Sequence, residues 1–162
     1  MKTCVFAGTF DPFTNGHKYV VDKCLEMFDN VVIALGTNVD KKPLFSVNDR
    51  VKMLESEYGK NPRVQIKCFD GMLTDFMKEN GILINVRGIR DQDDYKYETT
   101  MARYNSDMYP EMTTVYLPTP VTLTYVSSSA VRNIIENKAD FSAYIPNGVY
   151  SVAKSIIDDL KD

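Results

Sequence analysis

The amino-acid sequence predicts an α/β protein, an open doubly wound sheet of five parallel strands. Two observations predict it. Short apolar runs alternate five times with longer stretches whose apolar residues recur at helical spacing. Several runs are continuous, such as Val31-Val32-Ile33-Ala34-Leu35, which is the pattern of a strand covered on both faces. Strand and helix in regular alternation imply parallel neighbours joined by right-handed crossovers. At 162 residues the expectation is one domain with a sizeable core. No linker, internal repeat or low-complexity segment interrupts it.

The first strand is expected over residues 3–7. A helix follows over 16–28, with Val20, Cys24 and Phe28 in one stripe and Val21 and Leu25 beside it. The second strand, 31–35, ends at Gly36-Thr37. Pro43 keeps the next loop, Asp40-Lys41-Lys42-Pro43, from being helical. Ser46 caps a second helix, with Asp49 three residues on and Val47, Val51 and Leu54 inward. Residues 64–69 alternate as a third strand, Asp70-Gly71 turns the chain, and a short helix over 73–80 stops at Gly81. A fourth strand is expected over 82–86, ending at Arg87-Gly88-Ile89-Arg90, and a helix over 94–108. A fifth strand spans 113–117. Ser127-Ser128-Ser129 opens a helix to about Asn137, with Val131, Ile134 and Ile135 inward. Pro146 is expected in the first turn of a last helix carrying Val149, Val152, Ala153, Ile156, Ile157 and Leu160.

In such sheets ligands bind beyond the carboxyl ends of the strands, where strand order reverses. Residues 8–17, Lys41-Lys42, 70–73, 87–90 and 126–129 each follow a strand, so all five motifs should meet at one edge. The stretch Gly8-Thr9-Phe10-Asp11-Pro12-Phe13-Thr14-Asn15-Gly16-His17 reads as strand, glycine-containing turn and helix start. A helix start offers free N–H groups and a positive dipole end, which suits phosphate. Gly8 and Gly16 let the backbone approach a ligand, and Thr9 offers a hydroxyl. His17 is the one histidine of the chain. Such a residue is ordinarily packed or solvated; its place at a strand-to-helix turn makes it a candidate donor. The spacing fits neither the dinucleotide fingerprint nor the Walker motif.

Net charge is −3, so no global field draws nucleic acid, and an anionic ligand needs local cations. Lys41, Lys42, Arg87, Arg90 and Arg132 supply them, unless they serve only as surface charge. The three serines are a second phosphate cradle or an N-cap. Glu98 belongs to a solvated helix face or accepts hydrogen bonds from a ribose. Leu73 and Met72 are core or line a wall for a substrate arm. No apolar run approaches a membrane span, and no signal-peptide pattern opens the chain. The three cysteines, Cys4, Cys24 and Cys68, form no C-x-x-C and read as reduced core residues of a cytoplasmic protein. Neither a hydrolase triad motif nor a zinc spacing is present. A phosphate nucleophile explains the lack of an evident general base. With its second pKa near about 6, a phosphate monoester attacks without first losing a proton. Alignment and charge neutralisation then suffice.

Thr14-Asn15-Gly16-His17 resembles the T/H-x-G-H signature of the nucleotidyltransferase superfamily, and the ten-residue form resembles the phosphopantetheine adenylyltransferase family. The segments K-K-P-L-F-S, D-G-M-L-T-D-F, N-V-R-G-I-R, Y-K-Y-E and Y-V-S-S-S-A-V-R extend the likeness along nearly the whole chain. The resemblance implies a Rossmann-like nucleotidyltransferase fold. It implies transfer of AMP from ATP to 4′-phosphopantetheine, giving dephospho-CoA and pyrophosphate in coenzyme A synthesis. It further implies Mg²⁺ held mainly by phosphate oxygens and water, a cytoplasmic homohexamer, and coenzyme A as feedback inhibitor, with neither nucleic acid nor membrane as partner. Carried over by motif, His17 stabilises the transition state, with Lys41 and Arg90 in the catalytic set. Thr9 and His17 meet ATP phosphates, Thr9 also the pantetheine phosphate, and Phe10 contributes its backbone. Lys41, Arg87 and Leu73 hold the pantetheine side. Gly88, Ile89, Arg90 and Glu98 meet the nucleotide, as does the stretch Leu123-Thr124-Tyr125-Val126-Ser127-Ser128-Ser129. The chain departs from the family pattern at three places: Ala7 stands where proline is common, Asp91-Gln92-Asp93 where small or apolar residues are, and Asn133 where Glu or Lys is. A mononucleotide acceptor, a CTP-using relative, and a non-catalytic nucleotide sensor are the competing readings.

Overall fold

The computed structural model describes residues 1–37 and 42–159. Five strands, β1 (Thr3–Gly8), β2 (Asn30–Gly36), β3 (Val64–Phe69), β4 (Ile84–Ile89) and β5 (Thr113–Pro118), form one parallel sheet in the order β3-β2-β1-β4-β5. Among the described residues six α-helices accompany them: α1 (Asn15–Met27), α2 (Val47–Tyr58), α3 (Leu73–Glu79), α4 (Gln92–Met108), α5 (Ser128–Glu136) and α6 (Asn147–Asp159). The doubly wound α/β expectation holds.

Strand periodicity explains the two layers of core. From β1 and β2, Cys4, Phe6, Val31, Ile33 and Leu35 join Val20, Val21 and Cys24 of α1, Met53 and Leu54 of α2 and Val149 of α6. On the other face Val5, Ala7, Val32 and Ala34 meet Phe76 and Met77 of α3, with Ile82 and Met112. The central strands are buried on both sides, which is why they read as unbroken apolar runs.

Five local expectations shift. β4 starts at Ile84, not 82, because the end of α3 uses the preceding residues. The Gly81 N–H donates to the Lys78 carbonyl (3.1 Å) and the Ile82 N–H to the Met77 carbonyl (2.9 Å), with Gly81 at φ 63°, a Schellman closure. At its other end β4 takes in Arg87, Gly88 and Ile89, which stay paired to Tyr116, Leu117 and Pro118 of β5. α4 begins two residues early because the Asp91 carboxylate accepts the Asp94 N–H at 2.8 Å. Pro146 precedes α6 rather than entering it; its carbonyl accepts the Tyr150 N–H at 2.8 Å. Cys68 is exposed, since β3 is an edge strand, while Cys4 and Cys24 are buried. Leu160 lies outside the described residues. Among the described residues no helix is long and apolar enough to cross a membrane.

Candidate active site

Pairing between β1 and β4 covers Cys4↔Ile84 and Val5↔Asn85, although β1 runs on to Gly8 and β4 to Ile89. Strand order reverses at this point. The parting opens a cleft of ≈ 440 Å³ at the carboxyl edge of the sheet. Its walls come from the turn after β1 (Gly8, Thr9, Phe10, Asp11), the start of α1 (Thr14, Gly16, His17), β4 and its end (Arg87, Gly88, Arg90), α4 (Asp94, Glu98), and the start of α5 (Val126, Ser127, Ser128, Ser129, Arg132), with Thr119.

The turn after β1 is held from several sides. Phe10 has φ 51°, the left-handed region, which costs a non-glycine residue about 1–3 kcal/mol. Its ring is buried, packed on Phe6, Phe13 and His17. Gly8 accommodates that ring: a Cβ there would stand 2.8 Å from Phe10 Cε1. The glycine thus serves the turn's own packing as well as access. The Asp11 carboxylate accepts the Leu44 and Phe45 N–H groups, both at 2.9 Å. Arg132 donates to the Asp11 carbonyl (2.8 Å), Ser128 to the Pro12 carbonyl (2.8 Å) and Arg50 to the Thr9 carbonyl (2.8 Å).

His17 occupies the third position of α1, in a capping box with Thr14. The Thr14 N–H donates to His17 Nδ1 at 3.0 Å. A ring nitrogen that accepts carries no proton, so the neutral ring bears its hydrogen on Nε2. Burial among Phe6, Phe10 and Phe13, then the guanidiniums of Arg87 and Arg90, push its pKa from 6.5 down to about 3. The site therefore holds a fixed neutral N–H donor, and the group is no proton carrier near neutrality.

Both arginines are committed to carboxylates of α4. Arg87 donates to both Glu98 oxygens (2.9 and 2.7 Å) and to the Ala7 carbonyl (2.6 Å). Arg90 donates to both Asp94 oxygens, at 2.8 and 3.0 Å. Asp94 and Glu98 are one turn apart, so one helix face fixes two guanidiniums. The three serines divide the expected roles: Ser127 caps α5, Ser128 ties α5 to the turn, and Ser129 accepts from Arg132 Nη2 at 3.0 Å.

Of the expected site residues, Thr9, Phe10, His17, Arg87, Gly88, Arg90, Glu98, Val126, Ser127, Ser128 and Ser129 line the cleft. Ile89, Leu123, Thr124 and Tyr125 do not; Tyr125 is exposed against Tyr144. Leu73 packs on the core beneath α3. Lys41 lies outside the described residues, and Lys42 is exposed. Sequence reasoning gave Asp94, Asp11 and Thr119 no role of their own. It also missed Arg50, although that residue sits one turn before Leu54 on the inward stripe of α2, where a charge is out of place.

The cytidylyltransferase-like family profile matches residues 5–134. A phosphopantetheine adenylyltransferase of Actinobacillus pleuropneumoniae serotype 3 (strain JL03) is 38% identical over 152 residues, 94% of this chain and 96% of that protein. The chain belongs to the phosphopantetheine adenylyltransferase family. Members from Campylobacter curvus (35% identical, covering 94% of this chain and 98% of that protein) and Clostridium botulinum strain Hall (34%, covering 100% and 99%) agree with that membership. As a member of the family it is a nucleotidyltransferase. The fold is shared with a bifunctional NMN adenylyltransferase/ADP ribose pyrophosphatase from Francisella tularensis, solved with AMP and a manganese ion. That match has a TM-score of 0.71 at 19% identity and covers 98% of this chain. The chain spans about half of that protein's length, 51%.

Proposed function

We propose that the chain transfers AMP from ATP to 4′-phosphopantetheine, releasing pyrophosphate and forming dephospho-CoA. The observation that carries this reading is a neutral imidazole N–H donor and two guanidiniums facing one cleft where strand order reverses. The acceptor phosphate attacks the α-phosphorus of ATP, a new P–O bond forms, and the bond to pyrophosphate breaks. No proton need be removed, because the acceptor is largely dianionic at neutral pH, its second pKa lying near about 6. A ring held neutral serves here as donor to the equatorial oxygens of the transition state, not as acid or base.

In this reading Thr9, the Phe10 backbone, Gly88, Ile89, Arg90 and the stretch 123–129 serve the nucleotide. Lys41, Arg87 and Leu73 serve the pantetheine side, whose arm would run across the strand tips toward α3. Glu98 is expected at the nucleotide, and through its pairing with Arg87 it also sets that guanidinium's angle. Mg²⁺ belongs to the reading as companion of the triphosphate. Every carboxylate lining the cleft already accepts hydrogen bonds: Asp11 from two backbone N–H groups, Asp94 from Arg90, Glu98 from Arg87. Among the described residues no three metal-ligating side chains cluster. That donor set fits no all-protein cage, so phosphate oxygens and water would hold the ion. A homohexamer in the cytoplasm and inhibition by coenzyme A complete the proposal.

Turnover assays with ATP or CTP against phosphopantetheine and nicotinate mononucleotide decide it. Pyrophosphate release is expected with ATP and phosphopantetheine. Release only with a mononucleotide, or only with CTP, rejects the assignment.

A further inference from the structure

Arg50, on the second turn of α2, is fully buried. A guanidinium out of water carries a heavy desolvation cost, and an apolar side chain of like length packs more cheaply. Asp11 is the carboxylate whose charge acts on it, and that carboxylate is itself occupied by two backbone N–H groups. The bonds Arg50 makes are specific. Nε donates to the Phe45 carbonyl at 3.1 Å and at 3.4 Å to the Ser46 carbonyl, and Nη1 to the Thr9 carbonyl at 2.8 Å, while Nη2 is buried with no hydrogen-bond partner among the described residues.

The Thr9 and Phe45 carbonyls locate its purpose. The Thr9 carbonyl belongs to the peptide that enters Phe10, the residue in the left-handed conformation. In a planar trans peptide the N–H points opposite to the C=O. Tying the Thr9 oxygen to Arg50, which does not line the cleft, turns the Phe10 N–H the other way. The Phe45 carbonyl belongs to the segment whose N–H groups Asp11 grips. Arg50 and Asp11 thus clamp the turn after β1 and the segment before α2 from both sides.

We propose that Arg50 is a positioning residue for the nucleotide, fixing the Thr9–Phe10 peptide so that its N–H is presented to phosphate. The proposal rests on the nucleotide reading of the cleft. Arg50→Met keeps the stem and removes all donors. Three measurements on the full chain test it: residue-resolved amide exchange across 9–13, ATP affinity by calorimetry, and kcat and KM at a temperature well below Tm. Loss of a hydrogen bond from a charged donor should speed exchange in the turn and lower kcat by roughly tenfold or more. ATP affinity should fall, and some stability is lost as well because the Thr9 and Phe45 carbonyls lose their donor, which is why the rates are read well below Tm. Wild-type exchange and kcat overturn the proposal. So does a loss of rate that merely follows the unfolded fraction. If the Met variant does not fold, Arg50→Lys, which keeps the charge but on a single nitrogen in place of the guanidinium fork, is read the same way: a slower enzyme with a looser turn supports the role, and wild-type values overturn it. A wild-type chain that binds ATP but turns over no acceptor ends the functional reading only; turn exchange and ATP affinity still judge Arg50.

Discussion

His17→Asn is expected to remove a pH-dependent share of stability that the wild type shows in acid. Asparagine keeps an acceptor for the Thr14 N–H, so the start of α1 stays capped, but it does not titrate. In the native protein burial and the neighbouring guanidiniums hold the His17 pKa down to about 3, against 6.5 when unperturbed. Between those values the unfolded chain binds a proton that the native ring refuses, so stability falls as pH falls. The contribution is whole above 6.5 and is withdrawn at about 1.4 kcal/mol per pH unit below it. Across the full interval this would approach about 5 kcal/mol. Solvent reaching the partly buried ring narrows the window, and about 2–4 kcal/mol is the figure to expect. Urea unfolding of wild type and variant from neutral pH to pH 4 measures the difference, with the carboxylates common to both cancelling. The ring itself can be followed by nitrogen-15 NMR, since the chain has one histidine. A midpoint near 6.5, or stability curves that run parallel with pH, would refute the tautomer and the site electrostatics built on it.

Asp94→Asn should loosen Arg90 without unfolding α4. Asp94 and Arg90 are partly exposed, with side-chain exposures of 24% and 36%, so the stability loss should stay near about 1 kcal/mol while kcat drops roughly tenfold. The double variant with Arg90→Ala should be no slower than Arg90→Ala alone; additive losses would show that Asp94 acts by another route. Gly88→Ala would place a Cβ 2.9 Å from Val20 Cγ2, on a side chain stiff at χ1. A loss of about 1–3 kcal/mol is expected by thermal melting, relieved when Val20 is also cut to Ala.

Much of the architecture can be read without coordinates because its central strands are covered on both faces. The run 31–35 has no polar side to confuse with a helix stripe, and Ser46, Gly81 and Ser127 mark helix ends through chemistry confined to a few residues. The start of β4 is harder to place for a related reason. Ile82 is apolar like a strand residue, but its N–H is taken by the helix behind it. The site is legible as a set of strand tips, and eleven of its expected residues meet in the cleft. Its pairings are not. Nothing local says that Arg87 and Glu98 share two hydrogen bonds, because the partners are eleven residues apart across a strand-to-helix connection. Arg50 escapes notice since a pattern search for apolar periodicity discards a charged residue on the inward stripe.

The sheet is unzipped where β1 leaves β4, and a side chain stands in for the missing rung: Arg87 Nη1 on the Ala7 carbonyl at 2.6 Å. Backbone rungs are permanent fixtures of a fold, whereas a guanidinium can trade its partner for an anion. A phosphate that claims Arg87 would slacken the seam between the two halves of the sheet, and its departure would stitch the seam again. Binding in the cleft and closure of that seam would then draw on one and the same arginine.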